Sequence, residues 1–191
     1  TVAAVNYQHH LPVKSFITNI DNSNDVFFIT QEDIHQLLID NNYETLIGRG
    51  LQQVDFHRLE LIVNRDPWVK QAQIFADANG NVTLNITQRK PILRIINNLG
   101  VSFYIDESGV KMPVNNNFTA RVVVASGFIS DDGTQENKTD SATINSLYQL
   151  ASYINTDSTL QTLIQQVYVN EQKEFVLIPV IGNCNILFGD A

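Results

Sequence analysis

The dipeptide Asn79-Gly80 lies between two runs that alternate apolar and polar residues with a period of two. Before it, Ala72, Ile74 and Ala76 fall in phase within residues 69–76; after it, Val82, Leu84 and Ile86 alternate with Thr83, Asn85 and Thr87. That arrangement predicts a β-hairpin closed by a type I′ turn, in which both central residues take positive φ. A hairpin apolar on one face must bury that face on another element, so the residues ahead of it are expected to supply amphipathic helices.

They do carry helix signals. Residues 13–20 read as a strand apolar on both faces, followed by a turn-prone run at 21–25. Thr30 and Asp33 have capping-box spacing, Ile29 and Ile34 hold the staple positions, and Ile34, Leu37 and Leu38 share one helix face. Gly48 and Gly50 interrupt the pattern. Asp55 then caps a second helix, stapled by Val54 and Leu59 and buried along Leu59, Ile62 and Val63. Pro67 ends it, because the residue before a proline is pushed out of the α region. Trp68 is expected to plug the corner, and Val69 to start the hairpin. The first module reads strand, helix, helix, hairpin.

Beyond Pro91 the texture changes to short strands at 92–96, 101–105 and 121–126, with turns at Asn97-Asn98, 106–109 and 115–117. A polar loop at 129–140 precedes a helix traced by Ile144, Leu147, Ala151 and Ile154, for which Thr139 or Asp140 is the expected cap. Strands at 165–170, 174–178 and 183–188 follow, the first two joined by a turn at 170–173. The fold class is therefore α+β.

Composition narrows function. Twenty acidic against 12 basic residues give a net charge of −8, which opposes binding along nucleic-acid phosphates. One cysteine, Cys184, leaves no internal disulfide, and its phase with Ile186 and Phe188 predicts a buried thiol. No window approaches the roughly 18 to 20 apolar residues of a membrane helix, and the first residues lack the pattern of a signal peptide. No nucleophile elbow, phosphate-binding loop, HExxH or CxxC motif is present. His57 and Glu60 share a helix face but lack a third metal ligand; His9, His10 and His35 are assigned no role. The run at 77–81, superficially like the start of a calcium loop, and the acidic stretches at 106–109 and 131–133 read as turns. Sequons at Asn81, Asn85, Asn117 and Asn137 are too weak a signal in so asparagine-rich a chain.

The stretches LELIVNRDPWVKQAQI, TQRKPIL, SFYIDESGVKMP and RVVVASG, in that order, resemble the extracytoplasmic part of the bacterial cell-division family FtsQ/DivIB. The resemblance runs from about Val13 to Ala191. It implies an N-terminal extension at 1–12, a POTRA domain at 13–91 and a β domain at 92–191, in a single-pass protein of the cytoplasmic membrane whose N-terminal helix lies upstream. It also implies a C-terminal tail, here truncated, that carries the main partner strand, so that this fragment is expected to bind FtsB and FtsL poorly. The implied activity is that of a non-enzymatic division scaffold, with no cofactor. Sheet edges are the expected contact surfaces: Lys70, Gln71, Gln73 and Ile74 on the second strand, and Asn183, Asn185 and Leu187 on the last. Pro67, Trp68, Val69, Asn79 and Gly80 are expected to be structural. The rival readings are a POTRA module of outer-membrane assembly or secretion, and an extracytoplasmic enzyme or small-ligand binder.

Overall fold

A computed structural model describes residues 11–134, 141–182 and 185–189. The expectations placed on His9, His10, Asn137, Thr139, Asp140, Asn183 and Cys184 lie outside the described residues. The chain forms two compact units, Thr1–Arg89 and Lys90–Ala191, so Pro91, which opens a strand, belongs to the second.

In the first unit the order is β1 (Ser15–Asp21), α1 (Gln31–Asp40), a 3₁₀ turn (Leu51–Gln53), α2 (Phe56–Asn64), β2 (Val69–Ala76) and β3 (Asn81–Gln88). Both helices start where the sequence places their caps. The Thr30 side chain accepts from the Asp33 N–H while the Thr30 N–H donates to the Asp33 carboxylate, and Asp55 accepts from the Arg58 N–H. The three strands lie in the order β1-β3-β2, with β1 parallel and β2 antiparallel to β3. Val82, Leu84 and Ile86 of the central strand are at most 1% exposed, as are Leu59 and Val63 of α2. Each such side chain contributes about 1.5–3 kcal/mol of burial energy. A register shift between Val69 and Gln71 lets Val69 and Ala72, three residues apart, both turn inward.

The hairpin turn differs from the expected type I′. Only Gly80 has positive φ, at 89°, and Asn79 does not. The Gly80 N–H donates to the Asp77 carbonyl and the Asp77 N–H to the Asn81 carbonyl, giving a type I turn followed by a left-handed glycine. The reason is Asp77: its carboxylate accepts the N–H groups of Asn79 and Asn81 and the Asn81 side-chain amide, which stabilises the wider turn. These bonds also hold the Asp77 carboxyl below the usual aspartate range, the Asn81 side chain contributing most.

The second unit contains β4 (Pro91–Ile96), β5 (Ser102–Asp106), β6 (Lys111–Pro113), β7 (Val123–Gly127), α3 (Ser141–Thr156), α4 (Ser158–Leu163), β8 (Ile164–Val169), β9 (Phe175–Pro179) and β10 (Ile186–Gly189). Its seven-stranded sheet runs β10-β9-β8-β7-β4-β5-β6. The β4–β7 and β7–β8 pairs are parallel and the rest antiparallel. The β7–β8 link needs a crossover, and α3 with α4 provides it. Ile144, Leu147, Leu150, Ala151 and Ile154 of α3 bury against Leu93, Ile95, Ala125 and Val167 of the sheet. Strand β6 and helix α4 are absent from the sequence reading because three and six residues are too few for a period to register. A buried ion pair fixes the loop after β7: Lys111 Nζ donates to both Asp131 carboxylate oxygens, at 2.8 and 2.7 Å, and to the Thr134 carbonyl.

Candidate functional site

In each sheet the outer strands carry the groups available for pairing. In the first unit β2 bonds only to β3, which puts Lys70, Gln71 and Gln73 on an exposed edge strand and leaves Ile74 half-buried. Its outer lane is nevertheless occupied. The Asn64 side chain at the end of α2 accepts the Ala72 N–H at 2.9 Å and donates to the Ala72 carbonyl at 3.2 Å. One turn earlier, Glu60 Oε1 accepts the Ile74 N–H at 2.6 Å. Two side chains at i and i+4 on one helix face thus take the place of an incoming strand. The sequence marks Glu60 only as a neighbour of His57, which is exposed. The i, i+4 spacing with Asn64 was the missed signal. No group of three metal-ligating side chains occurs among the described residues.

At the corner before β2, Pro67 is exposed and Trp68 half-buried; the side chain that fills the corner is Val69, 1% exposed. The backbone of Trp68 is bonded on both sides. Its N–H donates to Asp66 Oδ1 at 2.9 Å and its carbonyl accepts the Arg89 N–H at 2.8 Å. Burial pushes the Asp66 carboxyl above the usual range; the Trp68 N–H opposes that shift and the charge of Asp33 adds to it.

Gln88, at the end of β3, is buried and fully bonded. Its oxygen accepts the Ile29 N–H, and its amide nitrogen donates to the carbonyls of Val26 and Asp21 and to the Asn22 side chain. One amide thereby ties the end of β1 and the entry to α1 onto the central strand.

In the second unit the outer strands are β6 and β10. Strand β6 is three residues long and ends in Pro113, which shortens the pairing surface it offers. Among the described residues, strand β10 pairs only with β9, and three successive apolar side chains stand out from it: Ile186, Leu187 and Phe188 are 47%, 68% and 50% exposed. Leu187 lies on this edge strand, and Asn185, also exposed, immediately precedes it. Ile186 and Phe188 are therefore not on a buried face. Val180 and Ile181, just after β9, are also exposed, at 55% and 74%. An open groove of about 780 Å³ lies between the ends of β4, β7 and β8 and the helices α3 and α4. Arg94 and Arg121 reach it, but among its described lining residues there is no carboxylate, imidazole or thiol to serve as a general acid or base. No helix among the described residues is long and apolar enough to cross a membrane.

Comparison with known families gives two matches. Residues 14–87 match a POTRA-like domain, covering β1 through β3. Residues 90–191, more than half of the chain, match the domain described as FtsQ/DivIB, C-terminal related. No curated protein matches the sequence. The first unit is a POTRA-like domain, and on the second match the chain belongs to the FtsQ/DivIB C-terminal related family.

Proposed function

We propose that this chain is the extracytoplasmic part of a non-enzymatic division scaffold, tethered by a membrane helix upstream, which holds division proteins together at the septum by strand addition at a sheet edge. Family membership supports the setting. The observation that carries the mode of binding is β10: an outermost strand whose backbone, among the described residues, pairs on one side only, with Leu187 68% exposed on it. An added strand satisfies the open N–H and C=O groups while its side chains cover Ile186, Leu187 and Phe188. The partners fitting this reading are the extracytoplasmic segments of FtsB- and FtsL-type proteins. Calorimetric titration of such segments against the full-length protein and its Leu187→Asp variant tests it. An apolar contact replaced by a buried charge is expected to weaken binding by at least about tenfold. Unchanged affinity in a variant with the parent's circular dichroism overturns the assignment to β10.

A further inference from the structure

The two edges of the POTRA-like sheet are not equivalent. Strand β2 is closed by Asn64 and Glu60. Strand β1 pairs only with β3, and away from its ends the one contact to its backbone from outside the ladder, among the described residues, is Gln31 Nε2 to the Thr18 carbonyl at 3.5 Å. That distance is at the limit of a hydrogen bond. Natural edge strands are usually short, bulged, covered, or interrupted by lysine or proline. Among the described residues, strand β1 has none of these protections. It is seven residues long, in unbroken register with β3 from Ser15↔Asn81 to Asp21↔Thr87, and contains no lysine, arginine or proline. Its apolar residues are incompletely covered: Phe16 and Ile20 are half-buried beside fully buried Val82 and Ile86, and Ile17 is 51% exposed.

We propose that β1 is a self-association edge and that its occupant is the β1 strand of a second copy of this chain, running antiparallel about a twofold axis through Thr18. The strand's own sequence carries the choice of occupant. A twofold contact must be self-complementary, and Thr18 is the midpoint of Ser15–Asp21. Antiparallel pairing about it sets Phe16 opposite Ile20 of the second copy, Ile17 opposite Asn19, Ser15 opposite Asp21, and Thr18 opposite itself. The half-buried apolar residues cover one another, the single charged residue, Asp21, meets a serine, and no like charges oppose. Two three-stranded sheets become one of six strands. The inference does not depend on the division reading, since it concerns only contact between identical chains.

The test uses the full chain in a Cys184→Ser background with single cysteines under mild oxidation. Across a twofold axis only the axial residue meets itself, with Cβ atoms about 4.5–5.5 Å apart, close to the separation that a disulfide bridges. Thr18→Cys is therefore expected to form disulfide-linked dimers at least about tenfold faster than Gln73→Cys on the closed edge. Phe16→Cys mixed with Ile20→Cys is expected to crosslink where neither does alone. Sedimentation of the unmodified protein gives a readout that requires no folded variant: a concentration-dependent dimer is expected. A protein that stays monomeric up to about millimolar concentration, where even weak strand pairing would show, overturns the proposal. So does crosslinking at Thr18 no faster than at Gln73, or a dimer that crosslinks through Gln73 instead.

Discussion

Asn64 holds both backbone groups of Ala72, accepting its N–H and donating to its carbonyl, as a neighbouring strand would. Together with the Glu60 bond to Ile74 this occupies outward backbone groups of β2 at Ala72 and Ile74, on a strand whose Lys70, Gln71 and Gln73 are exposed. Removing both side chains in Glu60→Ala/Asn64→Ala is expected to cost about 1–3 kcal/mol. It is also expected to speed amide exchange at Ala72 and Ile74 by at least about tenfold. Exchange followed by NMR checks this, and unchanged protection at both amides would show that another group covers the edge.

Gln88 accepts the buried Ile29 N–H and donates to the buried Val26 carbonyl. Replacing it by Leu keeps the volume but strands the Ile29 N–H and the Val26 carbonyl away from water. The expected cost is about 2–4 kcal/mol. Urea denaturation should show a lower midpoint at an unchanged slope.

The Lys111–Asp131 pair is 13% and 1% exposed at its two side chains, so losing one partner leaves an unmatched buried charge. Lys111→Met is expected to destabilise by about 3–5 kcal/mol, and Lys111→Met with Asp131→Leu by clearly less, because the double change removes both charges. A double-mutant cycle measures the difference. Additive losses would refute a tightly coupled pair.

Gly80 and Gly48 have nearly equal φ, 89° and 88°, but different surroundings. A Cβ on Gly80 would lie 2.4 Å from the Pro12 carbonyl oxygen, whereas one on Gly48 meets nothing within 4 Å. Gly48→Ala should therefore cost only the left-handed conformation, about 1 kcal/mol. Gly80→Ala should cost at least about 1–3 kcal/mol more, through displacement of residues 12–14. Equal losses in thermal denaturation would mean that the turn does not press on that segment.

Asp66 gives a pH signature. Its carboxyl is raised by burial in the folded chain, so the native state keeps a proton that the unfolded chain has already lost. The sign follows from linkage: its contribution to stability falls as pH rises from the ordinary aspartate range through the raised folded value. Asp66→Asn retains an oxygen for the Trp68 N–H and cannot ionise. The variant is expected to match the parent near about pH 3 and to be the more stable above that window, measured by denaturant unfolding at several pH values. Exposed Asp77, whose carboxyl is lowered by its hydrogen bonds, contributes with the opposite sign, its stabilisation being lost as pH falls through its folded value, and NMR can follow the two titrations separately.

The sequence by itself determined local elements: the caps at Thr30 and Asp55, the stop before Pro67 and the place of the turn around Asn79-Gly80 in the first unit, and the inward stripe of α3 in the second. These depend on hydrogen bonds within a few residues and on side-chain periods of 2 and 3.6, both legible along a chain. Tertiary structure decided which edges remain open. Whether β2 can accept a strand depends on Glu60, 14 residues from Ile74, and Lys111 finds Asp131 across 20 residues. No local rule reports what a fold brings to a backbone group from elsewhere. The turn type shows the same division on a small scale, since Asn-Gly fixed the place while the Asp77 carboxylate selected the geometry.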